Sequence, residues 1–223
     1  MSPYPFPAGL LESLSMVIII TSVAAVELRR LRSSAVAYSL QALLIVALLV
    51  SFGTLNHALY WWAGTAFVTK ALLTPYLLLR AMGKDEREER PLIGFAPSVV
   101  VAGVLMVAFY RLTHTHATLL APGELAQQEV FRINLAVAST VFALGLYCVL
   151  TRRDAVKTVI GLCLLENGVH LGLVSLAPGM PETALFGVAT EVVVTVWLLL
   201  YVIAGVRQKF GTRDTFALRE LQW

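Results

Sequence analysis

The stretch AVAYSLQALLIVALLVSFG, at positions 35–53, runs for 19 residues without a charged side chain. A helix of this length rises about 28 Å, close to the roughly 30 Å hydrocarbon core of a bilayer. Backbone groups in lipid must be hydrogen-bonded within the segment, and the stretch lacks the two-residue alternation of a barrel strand. It therefore predicts a transmembrane α-helix.

Six further apolar stretches repeat this pattern along the chain. We expect their helices at about 9–28, 56–80, 92–112, 131–150, 156–177 and 184–206. The composition agrees, because only 14% of the residues are charged and the mean hydropathy is +0.77, whereas a soluble domain has roughly 25% charged residues. The predicted fold class is all-α, a polytopic membrane protein of about seven transmembrane helices.

The positively charged residues are divided unequally between the two ends of these helices. Of the 17 lysines and arginines, Arg111 and Arg132 lie on one side, Lys70 lies inside a span, and the others lie on the opposite side. That opposite group is Arg29, Arg30, Arg32, Arg80, Lys84, Arg87, Arg90, Arg152, Arg153, Lys157, Arg207, Lys209, Arg213 and Arg219. The positive-inside rule places the N-terminus outside and the C-terminus in the cytoplasm. Topology thus explains the net charge of +3 without a nucleic-acid partner.

Polar connections divide the chain into four parts. Residues 1–112 are predicted to form a four-helix transmembrane platform, 113–130 an external loop, 131–207 a three-helix transmembrane unit and 208–223 a cytoplasmic tail. The charged connection GKDEREERP, at 83–91, is read as a solvated cytoplasmic turn, with a surface for partner docking as the alternative.

Three ionisable residues lie several turns inside predicted spans, namely Lys70, Glu166 and Glu191. Each costs at least about 2.5 to 3.5 kcal/mol when it is charged and faces lipid at mid-membrane. We therefore expect them to face a protein interior, a partner subunit or water. One interpretation is that they pair with one another and specify packing. The other is a proton relay, because desolvation favours the neutral forms of both groups and eases proton exchange near neutrality.

The sixth predicted helix carries further polar and small residues around Glu166. His170 follows it by four residues, so both side chains lie on one face. His170 is predicted either to extend the relay or to orient the carboxyl group. Gly168 and Gly172 form a pair of small residues that suits close approach of another helix.

No soluble catalytic motif is found in the sequence. A nucleotide-binding glycine loop, a cysteine cluster for iron and sulfur, and a metal-binding H-E-x-x-H are all missing. His114 and His116 have a spacing that permits metal binding, but two ligands alone favour solvated histidines. Cys148 and Cys163 lie in apolar stretches and are read as small buried thiols. We expect no catalysis, metal or cofactor in this chain itself.

Several stretches together resemble component E of hydrogenase-4, a membrane subunit of formate-hydrogenlyase-type complexes. They are GLCLLENGVHLGL at 161–173, FGVATEVVVTVWLLLYVIAGVR at 186–207, KFGTRDTFALREL at 209–221 and TAFVTKALLTPYLL at 65–78. The last three helices are also similar to the K subunit of respiratory complex I, which has one acidic residue in each of its second and third helices.

The K-subunit resemblance bears on the two buried carboxylates. Glu191 falls where the acidic residue of the third helix is expected. Glu166 lies three residues beyond the position for the second helix, where this chain has Cys163. Such a displacement is about one helical turn along the same general side. The resemblance therefore implies that Glu191 has an equivalent position and that Glu166 has an equivalent role.

The resemblance implies a non-catalytic subunit of a group 4 nickel-iron hydrogenase or a related complex-I-like redox complex in the prokaryotic cytoplasmic (inner) membrane. Its partners would be antiporter-like and other membrane-arm subunits, with a peripheral arm that carries nickel-iron and iron-sulfur centres. Glu166, Glu191, Lys70 and His170 would then exchange protons, or sodium ions at the carboxylates, coupled to electron transfer. The alternative is a structural scaffold that anchors the redox arm.

Overall fold

The computed structural model describes residues 8–54, 56–82, 92–120, 128–176 and 182–211. These residues form α1 (Ala8–Glu27), α2 (Leu31–Phe52), α3 (Ala58–Ala66), a π-helical segment (Phe67–Leu73), α4 (Thr74–Met82), α5 (Phe95–Thr115), α6 (Ala117–Leu120), α7 (Glu129–Thr151), α8 (Ala155–Leu176) and α9 (Glu182–Phe210). The structure therefore confirms the all-α prediction for the described residues. Helix α3, the π-helical segment and α4 are continuous, so they form one helical stretch where the sequence predicts one helix at 56–80.

Four helices, α2, α5, α7 and α8, are long and apolar enough to cross a membrane, among the residues that the structure describes. Of these, α5 is the most exposed, with Val100 and Val104 each more than 60% exposed. An apolar surface of this kind is suited to lipid or to a membrane partner. The seven-span count and the orientation of the termini stay predictions.

The expected external loop at 113–130 begins with helical residues. Helix α5 continues to Thr115 and is followed by α6. Thr113 is buried, and its hydroxyl donates a 2.7 Å hydrogen bond to the hydroxyl of Ser139 in α7. This contact stabilises the end of α5 against α7. It explains why the helix extends beyond the apolar stretch that was predicted to end at about residue 112.

Helices α7 and α8 pack against each other with their backbones in close approach. A Cβ atom placed on Gly168 would lie 2.6 Å from the backbone nitrogen of Phe142 and 2.8 Å from the carbonyl oxygen of Ala138. Gly145, on the other helix, would meet the backbone nitrogen of Leu165 at 2.5 Å. The predicted close approach at Gly168 is confirmed, whereas a Cβ at Gly172 would make only an ordinary 3.8 Å contact.

Side chains satisfy backbone groups at several helix ends. The carboxylate of Asp154 accepts a 2.8 Å hydrogen bond from the backbone nitrogen of Val156, at the start of α8. The ammonium group of Lys157, which is fully buried, donates to the carbonyls of Ala25 and Val26 at 2.8 and 2.7 Å. These carbonyls belong to the last turn of α1, where a cation also complements the helix dipole. Lys157 therefore ties α8 to α1.

Candidate functional site

Lys70 lies in the middle of the π-helical segment, and Pro75 accounts for the irregular backbone around it. Proline has no N–H group, so the carbonyl of Ala71, four residues earlier, loses its usual helical donor. The hydroxyl of Ser39 in α2 donates a 2.9 Å hydrogen bond to this carbonyl instead. The Lys70 side chain is turned into the protein, and the residue as a whole is only 3% exposed. Single π-helical turns of this kind occur frequently at functional sites.

Helix α8 brings three polar side chains to the Lys70 ammonium group. Its nitrogen lies 3.0 Å from Oε1 of Glu166 and donates a 2.8 Å hydrogen bond to Oδ1 of Asn167. It also forms a hydrogen bond with Nδ1 of His170, whose Nε2 lies 3.5 Å from Oε1 of Glu166. The structure thus joins three of the four residues predicted as the relay. We call Lys70, Glu166, Asn167 and His170 the lysine cluster.

The N–H donors of the Lys70 ammonium group indicate which ring nitrogen of His170 carries the proton. A lysine ammonium group has three N–H donors and no acceptor. Asn167 and His170 are hydrogen-bonded to it, and Glu166 lies 3.0 Å away as its ion-pair partner. His170 accepts at Nδ1, which requires a neutral ring with its proton on Nε2, the nitrogen that faces Glu166. With Lys70 charged, the four side chains of the cluster are thus a cation, a carboxylate, an amide and a neutral histidine.

A chain of hydrogen bonds leads from the lysine cluster into the first two helices. Nδ2 of Asn167 donates to Oε1 of Gln41 at 2.9 Å, and Nε2 of Gln41 donates to the hydroxyl of Ser22 at 3.1 Å. The Ser22 hydroxyl donates to the carbonyl of Ile18 at 2.7 Å. All three polar side chains are fully buried.

Sequence reasoning missed this chain of amides. Its signal was Gln41, an amide in the otherwise apolar stretch at 35–53, which needs a partner when it is buried.

Two aromatic side chains and one thiol also pack around the lysine cluster. The indole ring of Trp62 meets the His170 ring edge-on, with centroids 5.2 Å apart. The hydroxyl group of Tyr38 lies beside Cys163 and Asn167. Tyr38 and Trp62 are each at most 2% exposed, so they close this side of the cluster to solvent, whereas Cys163 also lines the cavity beside Glu166.

The opposite side of the lysine cluster opens into a cavity of about 330 Å³ between α8 and α9. Glu166 and His170 line it from α8, and Thr195 and Leu199 line it from α9. The Glu166 side chain is 28% exposed, whereas that of Lys70 is 4% exposed. Glu166 is therefore the more accessible member of the ion pair.

Glu191, the fourth predicted relay residue, lies in the α9 backbone one helical turn before Thr195. Its side chain lies outside the described residues. The connection GKDEREERP at 83–91, for which partner docking was the alternative interpretation, lies outside them as well.

A second group of buried charges joins three helices, α1, α5 and α7, at the end of the protein that is predicted to face the cytoplasm. Nη2 of Arg152 donates to Oε1 of Glu27 at 2.6 Å and to the hydroxyl of Ser98 at 2.8 Å. The Ser98 hydroxyl also lies 2.9 Å from both carboxylate oxygens of Glu27 and 2.8 Å from the hydroxyl of Tyr147. We call these four residues the arginine cluster. Arg152 had been counted only toward topology, and the partner of Ser98 was not anticipated.

Of the two histidines considered for metal binding, His114 is hydrogen-bonded to a carboxylate. Nε2 of His114 forms a 2.8 Å hydrogen bond with Glu129, which also accepts from Arg132 at 3.1 Å. No group of three or more histidine, cysteine, aspartate or glutamate side chains capable of holding a metal occurs among the described residues. Among the described residues, the buried side chains around Lys70 are thus the candidate functional site.

Comparison with protein families identifies the C-terminal part of the chain. Residues 133–223 match the family described as NADH-ubiquinone/plastoquinone oxidoreductase chain 4L, which is the K-subunit-like family. This region contains α8 and α9, which carry Glu166, His170 and Glu191. No solved structure matches the chain.

Comparison with individual proteins extends the similarity to the N-terminal helices. The chain is 29% identical over 219 residues to hydrogenase-4 component E of Escherichia coli K12, covering 96% of this chain and 97% of the relative. Component E of Shigella flexneri matches with the same identity and coverage. An uncharacterized protein of Mycobacterium tuberculosis is 29% identical over 157 residues, 69% of this chain and 68% of its own length. The predicted resemblance is thus confirmed: the chain is similar to hydrogenase-4 component E over nearly its whole length, and its C-terminal part matches the chain 4L family.

Proposed function

We propose that this protein is a membrane-arm subunit of a complex-I-like redox complex, of the group 4 nickel-iron hydrogenase type. It contributes the lysine cluster and Glu191 to proton translocation, or the two carboxylates to sodium translocation, driven by electron transfer elsewhere in the complex. The similarity to hydrogenase-4 component E and the match to the chain 4L family support the membrane-arm assignment. The contact of Lys70 with Glu166 at the edge of a cavity is the observation that carries the ion path.

The geometry permits direct proton exchange within the ion pair. Nζ of Lys70 and Oε1 of Glu166 are 3.0 Å apart, which is within hydrogen-bond reach. Transfer of one proton from the ammonium group to the carboxylate leaves a neutral amine and a neutral acid, so charge is conserved and the desolvation cost of two buried ions is relieved. Release of this proton from Glu166 toward the cavity, followed by uptake of a proton by the Lys70 amine through Glu166 or His170, returns the pair to its charged state. His170 contacts both groups and provides a second route between them.

The redox chemistry belongs to the partners under this proposal. Nickel-iron and iron-sulfur centres reside in a peripheral arm, while antiporter-like and other membrane subunits lie beside this chain in the prokaryotic cytoplasmic membrane. The chain itself is a non-catalytic subunit that crosses the membrane seven times, with its N-terminus outside and its C-terminus in the cytoplasm. The charge distribution and the helical stretches at the expected positions support this topology.

The decisive test is Glu166→Gln in the assembled complex, which preserves side-chain size and removes the titrating group. Ion pumping per assembled complex is expected to fall about 100-fold or more, as for loss of a proton-transfer group. Glu129→Gln is the matched control, because the Glu129 side chain is 54% exposed and lies in α7 away from the cluster. Unchanged pumping by Glu166→Gln with normal assembly would rule out the ion path through Glu166.

A structural scaffold is the second candidate function, and the arginine cluster favours it. Arg152 and Glu27 join α7 to α1 through a buried ion pair whose partners are far apart in the sequence. In this case the buried charges serve assembly. Substitutions in the lysine cluster would then reduce retention of this subunit in the purified complex and leave pumping per intact complex unaltered, which quantitation of partner subunits separates from the first proposal.

A further inference from the structure

The hydrogen bonds behind Lys70 have a direction that the chemistry of their groups dictates. Because the ammonium group of Lys70 can only donate, Asn167 must turn its oxygen toward it. The amide nitrogen of Asn167 is then left to donate to Gln41, which in turn must present its own oxygen. The nitrogen of Gln41 donates to Ser22, whose hydroxyl proton is directed to the carbonyl of Ile18.

The direction of these hydrogen bonds is also set at the end away from Lys70, at the carbonyl of Ile18. A backbone carbonyl accepts hydrogen bonds and cannot donate. The carbonyl of Ile18, which also accepts from the Thr21 hydroxyl at 3.0 Å, takes the Ser22 proton. The Ser22 oxygen is then left to accept from Gln41, which agrees with the direction set at Lys70. Reversing any one amide would place two donors face to face in a buried site, which costs about the full desolvation of a polar group.

We infer that Asn167, Gln41 and Ser22 are positioning residues, which hold an amide oxygen against the Lys70 ammonium group through a hydrogen-bond chain of fixed direction. The link to ion movement rests on the proposed function, whereas the positioning itself does not. Amide groups of asparagine and glutamine do not titrate, so this chain of hydrogen bonds does not conduct protons. It acts as a brace, so that among the described residues Lys70 exchanges protons through Glu166 and His170, which line the cavity.

The brace is testable on Lys70 directly, because the chain contains only four lysines, Lys70, Lys84, Lys157 and Lys209. The full-length protein would be labelled with ¹⁵N at the lysine Nζ atoms and reconstituted in lipid bilayers for solid-state NMR. The Lys70 signal is assigned by its loss in Lys70→Arg.

The test variants are Ser22→Ala and Gln41→Leu, and Ser51→Ala is the matched control. Ser51 is also fully buried, but its hydroxyl donates at 3.0 Å to the carbonyl of Ala47 within its own helix. We expect the Lys70 signal to move or to split in both test variants, and to keep its wild-type position in Ser51→Ala. Ser22→Thr, which retains the hydroxyl, restores the wild-type signal.

Lys70 signals that coincide with wild type in both Ser22→Ala and Gln41→Leu would overturn the inference. Ser22→Ala removes a single hydroxyl, so it keeps the test open when Gln41→Leu does not fold. Altered Lys70 signals together with normal pumping by Glu166→Gln would refute the ion path and leave the brace standing. Altered signals together with lost pumping support both.

Discussion

Lys70 and Glu166 lie on different helices, and their charged atoms are 3.0 Å apart. Removing one partner of a buried ion pair leaves the other charge without compensation, at a cost of about 3 to 5 kcal/mol when both are fully buried. Because Glu166 is partly exposed to the cavity, we expect Lys70→Met to destabilise the protein by about 2 to 3 kcal/mol. Thermal unfolding of the purified protein in detergent measures this loss.

The double variant Lys70→Met with Glu166→Leu is the control for this effect. Replacing both ions by apolar side chains of similar volume removes the uncompensated charge, so we expect most of the lost stability to return. A double variant as unstable as Lys70→Met alone would show that the loss comes from packing and not from charge.

The glycines of α7 and α8 permit a second stability prediction. A Cβ atom on Gly168 would collide with the backbone of α7 at Phe142 and Ala138, neither of which can rotate away. We expect Gly168→Ala to force the helices apart and to lower the free energy of unfolding by about 1 to 3 kcal/mol. The melting temperature in detergent reports this change.

Gly103→Ala in α5 is the matched control, because its Cβ atom would meet nothing within 4 Å. There the substitution is expected to stabilise the helix by up to about 1 kcal/mol, the difference in helix propensity. Equal effects of the two substitutions would contradict the close packing of α7 and α8.

The arginine cluster provides a third prediction. Arg152→Met leaves the buried carboxylate of Glu27 with Ser98 as a remaining donor, and we expect a loss of about 3 kcal/mol or more in the free energy of unfolding. Arg80→Met is the comparison, since Arg80 is exposed at the end of α4 and its replacement should change stability by at most about 0.5 kcal/mol. If both variants melt at the wild-type temperature, the arginine cluster does not hold α1 and α7 together.

Much of the fold followed from the sequence because lipid imposes one simple requirement on the backbone. Each apolar stretch of sufficient length had to be helical, and the expected bounds agree with the helices to within four residues. The same reasoning singled out Lys70 and Glu166, because lipid should have excluded them. The spacing of Glu166 and His170 also fixed a shared helix face.

The sequence alone did not show which buried polar side chains contact each other. Glu27 and Arg152 each looked like a charge at a helix end, where water is a sufficient explanation. Gln41 and Asn167 lie far apart in the chain, so their 2.9 Å hydrogen bond depends on how α2 packs against α8. Helix periodicity gives the face that a residue occupies, but it does not give the neighbour that this face meets.

The contact of Ser39 with the π-helical segment leads to a prediction of non-additivity. Ser39→Ala leaves the Ala71 carbonyl without the donor that replaces the missing N–H of Pro75, and we expect a loss of about 1 kcal/mol. In a Pro75→Ala background the new N–H group can satisfy this carbonyl, so Ser39→Ala should cost much less. A double-mutant cycle from thermal unfolding measures the coupling. Additive effects would mean that Ser39 does not compensate for Pro75.

The orientation of the chain can be tested with single cysteines because the native thiols give little background. Cys148 and Cys163 are at most 2% exposed, whereas Leu119 in α6 is 79% exposed and Leu28, between α1 and α2, is 39% exposed. A membrane-impermeant maleimide applied to intact cells should label Leu119→Cys, and should label Leu28→Cys only after permeabilisation. Neither substitution changes the charge that sets topology. Labelling of Leu28→Cys in intact cells, with Leu119→Cys protected, would invert the predicted orientation and with it the side from which the cavity beside Glu166 is reached.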